Sequence, residues 1–216
     1  MANTPMKILI SSILLLIAAY VPARGGEVIW GATSYGVYSQ GTPLPAGDLA
    51  EIGTFLGLSP DTVAANVQNF DLLRSNWTTF GTGHIGDGPR PPGFWRDDTV
   101  NSTSSLVGAP IYLWVFNSPD ISSATEEGIF TGFKSNIASS AWLFPQDNSS
   151  ITTDLGDLGV GLDIANPQLS GVIAGGIGFN ETGLHFNTAP IPEPSTCWLA
   201  VAGVGLMFSV HRRSTA

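Results

Sequence analysis

Residues 111–116 read Ile-Tyr-Leu-Trp-Val-Phe, six apolar or aromatic side chains in a row. Successive side chains of a strand point to opposite faces, so this run needs apolar neighbours on both sides of its sheet. Its β-branched and aromatic residues favour a strand, and Gly108-Ala109-Pro110 and Asn117-Ser118-Pro119 bound it with turn residues. The run is therefore predicted to be a central strand. Shorter runs of the same texture surround it: Val28–Trp30, Tyr35–Tyr38, Leu49–Leu56, Gly128–Thr131, Ala141–Phe144, Gly171–Phe179 and Leu184–Phe186. Turn residues separate them at short intervals, the pattern of a β-sandwich or a barrel-like fold. One segment differs. Ser59-Pro60-Asp61 reads as an N-cap, a proline at the first helical position and an acid in the first turn. Val63, Val67, Phe70 and Leu73 follow at helical spacing, which predicts one short helix from Pro60 to about Asn76.

Charge limits the partners of this β-rich part. Residues 24–189 hold Arg24, Arg74, Arg90, Arg96 and Lys134 against sixteen acids. Such a domain is repelled by nucleic-acid phosphates and by anionic lipid headgroups. The one cysteine, Cys197, lies outside it, so the domain has neither a disulfide nor thiolate chemistry.

The ends of the chain are of another kind. Lys7 precedes an apolar run from Ile8 to Tyr20, and Val21-Pro22-Ala23 supplies small residues before a cut after Ala23. These are the three parts of a secretory signal, so residues 1–23 are expected to be a signal peptide with a helical centre. At the other end, Cys197–Val210 is free of charge, and His211, Arg212 and Arg213 follow. An apolar helix over 196–210 is short for a bilayer, a mismatch that local thinning absorbs. The arginines place its end in the cytoplasm. The domain is then outside and the tail spans the membrane.

Pro192-Glu193-Pro194 directly precedes this run. With the apolar helix carrying Gly203 and Gly205, and with the basic end Arg212-Arg213, the tail 190–216 resembles the PEP-CTERM sorting signal of bacterial exosortase substrates. The resemblance implies delivery by the secretion machinery and processing near Pro192–Pro194 by an exosortase-type enzyme. The processed protein then moves to the cell surface or the extracellular matrix. The middle of the chain resembles a group of small PEP-CTERM proteins. The shared segments are Gly41-Thr-Pro-Leu-Pro-Ala-Gly47, the central run at 111–116, Thr125-Glu126-Glu127-Gly128 and Trp142-Leu143-Phe144-Pro145. That second resemblance implies a family context and no mechanism.

Chemistry in residues 24–189 is sparse. There is no Gly-x-Ser-x-Gly elbow and no His-Glu-x-x-His helix. His84 lies among glycines and reads as a loop residue, whereas His185, between Leu184 and Phe186, reads as a strand residue. Glu126 and Glu127 are adjacent, so on a strand they would face opposite ways and could not form one paired-carboxylate site. A solvated turn is their expected place. Asp154, Asp157 and Asp163 lie in a glycine-rich stretch and are the candidate ligands for calcium, an oxygen-seeking ion. Trp114 and Trp142 sit in apolar runs and are expected in the core. Trp95, within Pro91-Pro-Gly-Phe-Trp-Arg96, is expected in a loop, as the candidate contact for a sugar ring of an exopolysaccharide. These observations favour an exported, non-catalytic envelope or matrix protein. A carbohydrate-binding module is the alternative, and a secreted hydrolase the third reading.

Overall fold

The computed structural model describes residues 25–132, 142–159, 171–181 and 183–192. The first part of the domain contains β1 (Gly26–Ala32), β2 (Val37–Ser39), β3 (Thr42–Pro43) and β4 (Leu49–Phe55). Two short helices, α1 (Pro60–Ala65) and α2 (Phe70–Asn76), lead into β5 (Trp77–His84), β6 (Trp95–Asn101), β7 (Tyr112–Phe116) and β8 (Glu126–Phe130). The remainder is β9 (Ser150–Asp154), α3 (Leu155–Gly159), β10 (Val172–Ala174), β11 (Gly176–Asn180), β12 (Gly183–Asn187) and β13 (Ala189–Pro190). The protein is mainly β, and its described strands form open sheets without a closed barrel.

The largest sheet has the order β10-β8-β7-β4-β5, with β13 also paired to β8. Strand β7 lies at its middle, antiparallel to β4 and β8. The two-sided apolar pattern of the central run is used in full. Leu113 and Val115 join a core with Ala50, Ile52, Trp30 of β1 and Phe186 of β12. Tyr112, Trp114 and Phe116 join a second core with Phe55, Val63 of α1 and Leu73 of α2. One face of the large sheet thus meets two smaller sheets, β6-β1-β9 and β11-β12-β2-β3, and the other meets the helices.

The expected single helix over 60–76 is two helices. Ser59 caps α1 as expected, its hydroxyl accepting from Thr62 N at 3.2 Å. Asn66 then ends it: its side-chain amide donates to the Thr62 carbonyl at 2.8 Å, a local bond that competes with helix propagation. Asn69 starts α2 afresh by accepting from Leu72 N at 3.1 Å. Two expected strands also change. Trp142–Phe144 makes only an isolated bridge, Leu143 to Pro110. The run 171–179 is cut at Gly175 (φ 102), where a Cβ would stand 2.1 Å from the Asn187 carbonyl oxygen. There the chain leaves the large sheet as β10 and enters another as β11. The expected signal peptide and the apolar helix at 196–210 lie outside the described residues. Among the described residues, no helix is long and apolar enough to cross a membrane.

Candidate functional site

Trp95 is not a loop residue. A turn at Gly93 (φ 84) is fixed by bonds from Gly93 N to the Leu44 carbonyl and from Val37 N to the Gly93 carbonyl. It delivers Trp95 as the first residue of β6, opposite Ala32 of β1. The side chain is fully buried and edge-on to Trp30 at 6.4 Å. A sugar ring cannot stack on it, so its assignment as a contact residue is corrected: the apolar ring is spent in the core. Trp114 and Trp142 are buried as expected.

Asp154 and Asp157 come together at the end of β9, whereas Asp163 lies outside the described residues. Asp154 accepts from Thr33 N at 3.2 Å and from Gly156 N at 2.6 Å, and Asp157 accepts from Asp154 N at 3.4 Å. Both carboxylates therefore serve the turn into α3. They line a polar recess of about 190 Å³ with Thr33, Ser34, Thr152 and Arg96. Among the described residues, no group of three or more His, Cys, Asp or Glu is placed to hold a metal ion.

The two histidines among the described residues stand on different sheets. His84 is an exposed residue closing β5, rather than a loop residue. His185 is buried in β12, with its ring 4.4 Å from that of Tyr38.

The adjacent glutamates are not in a solvated turn; both are buried at the start of β8. Asn117 fixes the strand's entry, its side-chain oxygen accepting from Thr125 N and Glu126 N at 2.9 Å each. The pleat sends the two carboxylates to opposite faces. Glu127 accepts from Trp114 Nε1 at 2.7 Å on the helix-covered side. Burial pushes its pKa up to about 7, against the lowering effect of that N–H.

Glu126 faces the other way and gathers three segments. Gln40 and Gly41 both have positive φ, at 48° and 82°, as the tight turn between β2 and β3 requires. That turn brings the Gln40 amide to Glu126 at 3.1 Å. The Thr188 hydroxyl donates to the other carboxylate oxygen, and Ser39 adds a further hydrogen bond. Burial raises the Glu126 pKa, but the bonds from Thr188, Ser39 and Gln40 outweigh it and hold the carboxyl below its ordinary value. Thr188 N also donates to the Tyr38 carbonyl at 2.9 Å. Directly beyond, Ala189 and Pro190 pair with Glu127 and Glu126, and Ile191 N donates to the Thr125 carbonyl at 2.9 Å. Ile191 packs on the helix-side core. The sheet thus continues one residue past the expected domain end at 189, to Pro190, and Ile191 adds one more bond beyond it.

Pro192, the first residue of the Pro-Glu-Pro motif, follows this clasp without a spacer. Glu193, Pro194, Arg212 and Arg213 lie outside the described residues. Gln40 and Thr188 were not legible in the sequence, because polar residues between strands rarely announce a long-range bond. Two of the resembling segments, Gly41–Gly47 and Thr125–Gly128, were the available signal, since both begin beside this carboxylate.

No curated protein and no solved structure matches the chain. Residues 190–213 match the family described as the PEP-CTERM protein-sorting motif, and the tail that leaves β13 therefore carries that motif.

Proposed function

We propose that this is an exported protein of a bacterial cell envelope or extracellular matrix, sorted by an exosortase-type system, with a structural or interaction role rather than a catalytic one. The observation that carries it is the sorting motif at 190–213, which starts on the last residue of β13, the final strand of the described fold. In this reading residues 1–23 direct export. Residues 196–210 then tether the chain to the inner membrane until processing near Pro192–Pro194, and Arg212-Arg213 remain inside.

A non-catalytic role is supported by how the candidate acids are used. Glu126, Glu127 and Asp154 are each committed to hydrogen bonds that hold the fold. The exopolysaccharide reading has lost Trp95, its motivating residue, to the core. The test is fractionation of the tagged protein in a host with an exosortase-type enzyme and in the same host lacking it. The expected result is a surface or matrix form without Arg212-Arg213 in the first host, and a longer membrane-held form in the second. Cytoplasmic protein with both ends intact would sink the reading.

A further inference from the structure

The Pro-Glu-Pro triplet begins at Pro192, directly after Ile191, whose N–H is bonded to the Thr125 carbonyl. Residues 188–191 are held at every step. Thr188 is bonded to Tyr38 and Glu126, Ala189 and Pro190 lie in register on β8, and Ile191 is tied to Thr125 and packed on the helix-side core. Five residues, 192–196, then separate Ile191 from the uncharged run that starts at Cys197. Fully extended they reach about 17 Å. Processing enzymes that cut next to a motif commonly take the flanking chain as an extended strand through its backbone N–H and C=O groups. The groups on the N-terminal side of this motif are already engaged with β8 and β2.

Resting on the proposed exosortase sorting, we propose that residues 188–191 form a clasp that must open before the tail is processed, so that the Glu126–Thr188 and β8–β13 contacts set the rate of tail removal. The partner is the membrane-side processing enzyme, and the surface it must displace or approach is the β8–β13 edge. Tail removal breaks one peptide bond near Pro192–Pro194. Its acyl half passes to water or to an amine acceptor, and its amine half leaves with the tail. The clasp takes no part in that bond change. It controls how much backbone the enzyme can hold while the change occurs.

Pulse-chase measurement of tail loss in the exosortase-bearing host tests this on the full chain. Thr188→Ala removes one hydrogen bond to a buried carboxylate and is expected to raise the processing rate about fivefold. Insertion of ten Gly/Ser residues between Ile191 and Pro192 leaves every clasp contact in place and supplies free backbone beside the motif. It is expected to raise the rate at least as much, and it keeps the test decisive should Thr188→Ala fail to fold. Equal rates for the insertion variant and the unaltered chain would overturn the clasp while leaving exosortase sorting intact. No processing of any of the chains would overturn the sorting reading and the clasp with it.

Discussion

An indole N–H in an apolar cluster needs an acceptor, and Trp114 sits among the rings of Phe55, Phe70, Trp77 and Phe116 at 5.1–5.7 Å. Glu127 supplies the acceptor, and burying its carboxylate is the cost. The folded pKa, about 7, lies above the ordinary 4.5. Between those values the folded state binds more protons than the unfolded one, so this group's contribution to stability falls as pH rises through that window and is constant above it. Glu126, whose folded pKa is depressed, acts in the opposite sense: its contribution is present above its unfolded pKa and is lost as pH falls through its folded one. Glu127→Gln retains an oxygen for Trp114 and removes the titration. It is expected to be more stable than the unaltered protein at pH 8, by roughly 1–3 kcal/mol, with the gain fading towards pH 4.5. Urea unfolding of the two proteins at both pH values measures it, and a gain that does not shrink in acid contradicts it. None of this was legible in the sequence, where two adjacent glutamates beside a glycine have the look of a solvated turn.

At the scale of elements, the strands that could be read were those whose own residues demand a sheet. Strand β7 was legible because both of its faces are apolar, whereas β5 was not, because Trp77-Thr-Thr-Phe-Gly-Thr-Gly-His84 carries two glycines and little that is β-branched and apolar. Those glycines are what its packing requires. A Cβ on Gly81 would stand 2.2 Å from Thr99 Oγ1, and one on Gly83 would meet the Trp30 ring at 3.2 Å. Trp30 itself donates to Thr99 Oγ1 at 3.1 Å, so the glycines of β5 let β1 and β6 come close enough for the indole to nest. Gly81→Val is expected to cost about 1–3 kcal/mol or more by overpacking, and it should also release the Trp30 bond, visible as a change in near-ultraviolet dichroism. The helical segment shows the converse limit. Its periodicity was legible, but the break was not, because Asn66 and Asn69 end and restart the helix through side-chain bonds that spacing does not reveal. Asn69→Ala removes the N-cap of α2 and is expected to cost about 1 kcal/mol in the same unfolding measurement.

At the scale of the whole molecule, the tail's motif was legible because a processing enzyme must read it as linear sequence; the clasp before it was not, because it exists only when residues 38–40, 125–127 and 188–191 meet. The end of the described sheet is therefore set by pairing rather than by composition: Ala189 and Pro190 are its last paired residues, and Ile191 adds one bond beyond them. A chain stopped after Ile191 keeps every contact of the clasp. A chain stopped after Thr188 loses the β13 pairing and the packing of Ile191, and it leaves the Glu126–Glu127 stretch of β8 without its edge partner. An uncovered strand edge invites pairing with another chain. The first truncation is expected to unfold at the same urea concentration as the full-length protein. The second is expected to lose about 1–2 kcal/mol, from one half-buried aliphatic side chain and the lost ladder bonds, and to associate at concentrations where the first is monodisperse. Equal stability and equal sizing profiles for the two would mean that β13 contributes nothing to the fold, and a processed C-terminus near Pro192 would then be a loose end instead of a strand locked into the sheet.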